Sequence, residues 1–184
     1  MERMTKTAKP VVAVVGATGH TGRFVVAELL RREMTPIAIA RDPAALAAFP
    51  HFEVVRRHAT VDDAASFDQA LRGVQAVINC AGPFVGTANA VAAAAMRAGI
   101  HYVDVCAEQE TARATLERFE EPARQAGIAV VPSMAFFGGF ADLLVTAALG
   151  DWYWVDSIEI MIGLDSWHPT RGTRSPSTER RWAT

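Results

Sequence analysis

Lysine is nearly missing from this chain of 184 residues: Lys6 and Lys9 are its only lysines, and every other basic residue is arginine, a skew that reads as coding bias. Acids outnumber bases slightly, for a net charge of −2, so the chain has no broad electrostatic footprint for nucleic acid. Cysteine is scarce too. Cys80 and Cys106 alone cannot make a disulfide framework, and in an intracellular-type α/β chain they are expected to be reduced. No secretory signal is expected, because the first apolar run, Val11–Val15, is too short and enters a glycine loop. The longest uncharged stretch, Gly73 to Met96, is long enough to raise the question of a membrane span. It is rich in alanine, carries Gln75, Asn79 and Asn89, and has Gly82-Pro83 in its middle. A buried strand, a loop and a buried helix account for it better. The expectation is a cytoplasmic protein with no membrane and no nucleic-acid partner. GxSxG nucleophile elbows and HExxH metal helices are absent as well.

What is present is an alternation. "VVAVV" (11–15) reads as a strand covered on both faces. From Arg23 to Arg32 the period changes, with Val25, Val26, Leu29 and Leu30 in one stripe. Further strands are predicted at 36–40, 52–57, 75–80, 101–105 and 128–132. Helices are predicted from Pro43, over 64–71, 87–98 and 109–126, and over 140–149, with Pro122 breaking or restarting the fifth. Six strand–helix repeats predict an α/β fold, a Rossmann-type doubly wound parallel sheet of order 3-2-1-4-5-6 over residues 1–150. Its ligand site lies where strands 1 and 4 end. After Asp151 the pattern becomes period two, with Ile158, Ile160, Ile162 and Leu164 on one face. That predicts a half-covered antiparallel strand over 155–164, then a loop or tail over 166–184. Residues 151–184 thus read as the beginning of a second, truncated or absent α+β domain. The uncovered apolar face predicts a homo-oligomer associating through residues 151–165.

The loop after the first strand reads Gly16-Ala17-Thr18-Gly19-His20-Thr21-Gly22. A pyrophosphate needs backbone N–H groups and a helix start aimed at it. Gly16 permits the turn out of the strand, Gly19 lets backbone approach phosphate, and Gly22 lets the helix pack on the sheet. Thr18, His20 and Thr21 can add side-chain donors. Set between a strand and an amphipathic helix, this loop predicts dinucleotide binding. At the end of the second strand, "AIARDPAAL" offers both an acid and a base. Asp42 before Pro43 has the form of a helix N-cap, which leaves Arg41 for a ribose 2′-phosphate. That points to NADP rather than NAD. "NCAGPF" (79–84) ends the fourth strand at the switch point, so Ala81, Gly82, Pro83 and Phe84 are expected along the ribose and nicotinamide.

Other candidates are weaker. Asp104, Cys106 and Glu108 can share one face of the fifth strand beside Cys80, but their spacing matches no metal motif. Buried thiols and a solvated carboxylate are the expectation, and no metal. His101, on the opposite face, reads as structural, and Trp152 and Trp154 as packing residues. A Tyr followed four residues later by Lys is missing, since Tyr102 and Tyr153 have Cys106 and Ser157 there. That excludes the usual short-chain dehydrogenase active site. His168 is the one titratable side chain of the tail that could act as an acid, and no catalytic residue is assigned.

With "GATGHTGRFVVAELL", "VINCAGPFVG", "AGIHYVDVCAE" and "AVVPSMAFFGGFADLL" assembled, the chain resembles the NADP-binding domain of the saccharopine dehydrogenase-like family, which includes trans-acting enoyl reductases. These stretches cover most of residues 10–150. The resemblance implies a Rossmann domain, NADP(H), and hydride transfer to a small-molecule imine, enone or similar acceptor. Gly16, Gly19 and Gly22 would bind pyrophosphate, Arg41 the 2′-phosphate, and Ala81 to Phe84 the ribose and nicotinamide. Where many relatives have an acid after the third strand, near the adenine, this chain has Thr60. Where many read F-D-S-x-P-x-D, it reads "FFGGFAD", with Asp142 kept. Relatives also carry a second, mixed α/β domain that completes the substrate pocket. The rival class is a non-catalytic NADP-binding module that senses redox state or scaffolds a partner.

Overall fold

The computed structural model describes residues 8–166, His168 and Pro169. Strands β1 (Val11–Val15), β2 (Thr35–Ala40), β3 (Val55–His58), β4 (Ala76–Asn79), β5 (His101–Asp104) and β6 (Val130–Val131) form one sheet. Their order is β3-β2-β1-β4-β5-β6, and every neighbouring pair is parallel. This is the order expected for the α/β, Rossmann-type doubly wound sheet. Helices α1 (His20–Arg31), α2 (Pro43–Ala47), α3 (Ala64–Ala70), α4 (Phe84–Ala98) and α5 (Gln109–Ala126) are the crossovers. A π-helical turn (Phe136–Phe140) and α6 (Ala141–Leu149) follow β6.

The alternation of side chains along β1 divides the core in two. Val12 and Val14 face α1 and α2, where Val26, Leu29, Leu46 and Phe49 join them. Ala13 and Val15 face α3, α4 and α5, with Phe67, Leu71, Val91, Ala95 and Phe119. Burying a side chain of the size of Val26 or Leu29 stabilises by about 1.5–3 kcal/mol, so α1 is fixed chiefly by its apolar stripe. The alanine-rich run has a packing reason. Helix α4 lies between α3 and α5 over the sheet, and Ala88, Ala92, Ala94 and Ala95 are all buried. Small side chains let it sit close to all three neighbours.

Several boundaries move. Helix α1 starts at His20 rather than Arg23, and α4 starts at Phe84 rather than residue 87. Strand β3 begins only at Val55, while β5 ends at Asp104 and β6 is two residues long. Pro122 neither breaks nor restarts α5, which is continuous. Pro122 is exposed, so water can take the carbonyl that its missing N–H leaves open. Phe119 and Ala123 anchor the helix on either side, and Arg124 pairs with Glu120 at 3.1 Å and Glu121 at 2.9 Å across the proline.

The strand expected over 155–164 is not formed. Ile158, Ile160, Ile162 and Leu164 are 37–52% exposed. A period-two pattern supplies a face, but a strand needs a ladder partner, and β6 pairs only with β5 among the described residues. Association by strand pairing therefore has no strand here to build on. Most of the tail, apart from residue 166, His168 and Pro169, lies outside the described residues.

The carboxyl end of β5 is tied down by one buried acid. Asp104, fully buried, accepts from the Tyr102 hydroxyl at 2.7 Å, from the Cys106 N–H at 2.9 Å and from the Ser133 N–H at 2.8 Å. The expected solvated carboxylate is thus corrected: a carboxylate at this depth is tolerated because three donors replace its water. Ser133 is held at φ 61°, a left-handed conformation uncommon for a non-glycine residue. Its carbonyl accepts from the Ala135 and Gly139 N–H groups at 2.7 and 2.9 Å, which locks the turn into the π-helical segment. Asp104→Ala leaves two backbone N–H groups and a phenol without this partner, so it should destabilise the fold by about 3 kcal/mol or more. Tyr102→Phe removes one donor and should cost about 1–2 kcal/mol. Denaturant unfolding of both variants checks the order; equal stability of Asp104→Ala and the parent chain would contradict it.

Candidate functional site at the switch point

β1 and β4 are neighbours whose connections leave to opposite faces, so a crevice opens beyond their carboxyl ends. The loop after β1 and the loop after β4 meet there. Gly16 turns at φ +74°, and a Cβ on it would stand 3.0 Å from the Ala81 N and Cα atoms. A Cβ on Gly22 would drive into the Gly16 carbonyl oxygen. Helix α1 therefore starts directly against the loop that feeds it. Gly19, at the N-cap with φ −75°, is different. Its conformation suits any residue, and an added Cβ would meet only the Gly16 carbonyl oxygen, at 3.1 Å.

The loop's donors divide into used and open. The N–H groups of Gly16 and Ala17 both donate to the Ile39 carbonyl, at 2.9 and 3.2 Å, and the Gly19 N–H donates to Gly16 at 2.9 Å. The N–H groups of Thr18, His20 and Thr21 have no acceptor within the described protein. No side chain caps α1 and no acid lies in its first turn. Helices α2 and α3 are closed by side chains. Asp42 caps α2, accepting from the Ala44 and Ala45 N–H groups at 2.9 and 3.2 Å, and Asp63 caps α3 through Ser66 at 3.1 Å. The His20 ring packs edge-on against Phe24, 5.3 Å between centroids, so His20 offers its backbone more readily than its ring.

Asp42 caps α2 with Pro43 at N1, as its sequence context predicts. Arg41 is left exposed at the end of β2, its guanidinium in none of the described ion pairs. Its carbonyl accepts from His58 Nε2, at 3.2 Å, at the end of neighbouring β3. Thr60 is held in a local cluster, donating from Oγ1 to Asp62 at 3.2 Å and accepting the Asp63 N–H at its carbonyl at 3.2 Å.

The loop after β4 is built from both sides. Asn79, fully buried, accepts the Ala81 N–H at 3.0 Å and donates to Thr87 Oγ1 at 3.2 Å, while the Thr87 hydroxyl donates to the Ala81 carbonyl at 2.6 Å. Glu108 accepts from the Phe84 and Val85 N–H groups at 2.9 and 2.8 Å. Phe84 thus belongs to the first turn of α4 rather than to the loop. Sequence reasoning missed the roles of Asn79, Thr87 and Glu108. One signal was there: Pro83 at the N-cap has no capping group, so α4 needs an acceptor from elsewhere.

Burial, then the nearby Asp104 charge, pushes the Cys80 thiol up to about 12. At neutral pH it is therefore held as the thiol rather than the thiolate nucleophile. Burial and the same carboxylate raise the Tyr102 phenol as well, so Tyr102 keeps its proton and donates it to Asp104. His101 is structural, as expected: its Nδ1 accepts the Ala129 N–H at 3.0 Å. Neither cysteine is in a disulfide. Among the described residues no three His, Cys, Asp or Glu side chains converge as metal ligands, and no helix is long and apolar enough to cross a membrane.

A loop with open N–H groups, glycine at the points of closest approach and an unpaired arginine at the next strand end fits a dinucleotide that carries a 2′-phosphate. Residues 12–131 match the family model of the saccharopine dehydrogenase NADP binding domain. A saccharopine dehydrogenase-like oxidoreductase of Rattus norvegicus is 26% identical over 152 residues, 72% of this chain and 35% of that protein. A probable mitochondrial saccharopine dehydrogenase-like oxidoreductase of Arabidopsis thaliana is 28% identical over 151 residues, 72% of this chain and 33% of that protein. The chain thus spans about a third of the length of these relatives. Among solved structures, apo saccharopine dehydrogenase (L-Glu forming) of Saccharomyces cerevisiae superposes with a TM-score of 0.64 at 20% identity, covering 76% of this chain and 30% of that one. At that identity the likeness shows the fold. The match of the domain model over most of the sheet is what carries the assignment: the chain belongs to the family of saccharopine dehydrogenase NADP-binding domains.

Proposed function

We propose that this chain is an NADP(H)-dependent oxidoreductase, or its cofactor domain, acting in hydride transfer to a small imine- or enone-type acceptor. The observation that carries the reading is the open first turn of α1. Its free N–H groups lie at the carboxyl end of β1, while α2 and α3, which also start at this edge of the sheet, are capped by their own acids. Thr18, His20 and Thr21 would meet the pyrophosphate through backbone N–H groups, with the Thr18 and Thr21 hydroxyls beside them. Gly16, Ala17, Gly19 and Gly22 shape the loop, and Arg41 would take the 2′-phosphate. Thr60 would border the adenine, and Ala81, Gly82, Pro83 and Phe84 the ribose and nicotinamide. When bound, the nicotinamide supplies the hydride; the protein binds it, orients it and limits access of water.

A second reading has its own support. Tyr102 is committed to Asp104, Glu108 to α4, and Cys80 is held as a thiol. These three groups that could move a proton are thus engaged in structure or held neutral. That favours a non-catalytic NADP-binding module that senses redox state or scaffolds a partner. Loss of NADPH absorbance on adding an imine or enone acceptor separates the two readings, since only the enzyme consumes the cofactor.

The chain is expected to bind NADPH more tightly than NADH. Arg41→Ala should remove most of that preference and leave NADH binding nearly unchanged, because a charge-assisted bond to phosphate contributes about 1.5–3 kcal/mol. Titration by nicotinamide fluorescence reads both affinities, and equal affinities in the unmutated chain would overturn the assignment of Arg41. Gly19→Ala should fold, since φ −75° accepts alanine and its methyl has one close neighbour. It should nonetheless lose cofactor affinity by roughly tenfold or more, as the methyl stands where phosphate approaches. A melting temperature that falls in step with binding would mean the loop's role is structural.

A further inference from the structure

Two helices begin at the switch point, α1 after β1 and α4 after β4, and only one is open. Glu108, reaching across from the loop after β5, places both carboxylate oxygens in the first turn of α4: Oε1 on the Phe84 N–H at 2.9 Å, Oε2 on the Val85 N–H at 2.8 Å. The Thr111 hydroxyl, in the first turn of α5, donates to the same Oε2 at 3.1 Å and steers it. A few residues back, Asn79 and Thr87 hold both backbone groups of Ala81, and Ala81 packs against Gly16. The segment 81–85 is therefore clamped at each end. Its far clamp is a carboxylate side chain that belongs to a different crossover.

We propose that Glu108 is a positioning residue for the dinucleotide. It holds segment 81–85 in the shape that receives the nicotinamide half. By filling the first turn of α4 with its own negative charge, it also leaves α1 as the helix start open to pyrophosphate. Of two competing anion seats one is occupied internally, and this decides which way round the cofactor lies across the crevice. The inference rests on the cofactor reading above. A merely stabilising cap would differ in one respect: its loss would weaken every ligand alike.

The test compares two ligands on the full chain by calorimetric titration. NADPH spans the whole crevice; adenosine 2′,5′-bisphosphate carries the adenine half alone and does not reach segment 81–85. Glu108→Ala should lose about tenfold in NADPH affinity and change by less than about twofold for the bisphosphate, since the displaced segment contacts only the nicotinamide half. Glu108→Gln, which keeps one acceptor oxygen, should fall between, and Thr111→Ala should shift NADPH binding in the same direction by less. If Glu108→Ala does not fold, these two variants make the same comparison. Equal losses for both ligands, or no loss for either, overturn the role of Glu108 while leaving the cofactor reading intact. So does an unmutated chain that binds the bisphosphate as tightly as NADPH. An unmutated chain that binds neither ligand overturns the cofactor reading and this inference with it.

Discussion

Helix α1 lies so close to the loop that feeds it that position 22 has no room for a side chain, and the geometry of the crevice follows from that approach. With Gly22 against the Gly16 carbonyl, the axis of α1 is set within a few residues of the end of β1. Val26 and Leu29 then fall onto Val12 and Val14, so the close start and the apolar stripe determine one orientation together. The same approach turns Gly16 into contact with Ala81 and brings the loops after β1 and β4 together. A residue with a Cβ at 22 would lift the helix, widen the crevice and loosen the first core layer in one movement.

Around that point the chain distributes its acids in a consistent way. Asp42, Asp63 and Glu108 each lie at a helix start, where free N–H groups and the helix dipole favour negative charge. Asp104 sits deeper, among three donors. Each of these four carboxylates is thereby matched by backbone or phenolic donors and is a weaker source of repulsion for a phosphate. Arg41 owes its freedom to the same arrangement. Were Asp42 not turned into α2, it would be the nearest partner for the guanidinium, and the end of β2 would present an ion pair instead of a cation.

Much of this was legible in the sequence, for physical reasons that also mark where it stopped being so. Parallel strands buried on both faces leave continuous apolar runs, and crossovers leave helical periods, so strand order and the glycine loop followed from local pattern. Asp42-Pro43 was readable because capping is a contact between sequence neighbours. The roles of Glu108 and Thr87 were not. Glu108 serves a helix 24 residues earlier in the chain, and no local pattern encodes a partner at that range. Pro122 misled because propensity treats a proline as if its helix stood alone, whereas Phe119 and Ala123 pin this one to the core. The stretch 155–164 misled in the opposite sense: its alternation describes a face, and a face becomes a strand only where another strand offers its edge.

The turn after β6 is ordered by the same buried acid that fixes the end of β5. Ser133 is held in a left-handed conformation by Asp104 and by the two N–H groups that meet its carbonyl. The bonds that hold this strained residue also fix the start of the π-helical turn. Gly138 is required there, because a Cβ would strike the Ser133 carbonyl oxygen. Phe136, Phe137 and Phe140 project from the turn, with Phe136 stacked on Phe140 at 5.8 Å between centroids. Tyr102, Cys106 and Ser133 therefore all take their positions from one carboxylate. Displacing it would move the end of β5, the loop that carries Glu108, and the aromatic turn as a unit. Replacing any one of the three donors leaves two in place, so the single acid, rather than any of its partners, sets the shape of this end of the sheet.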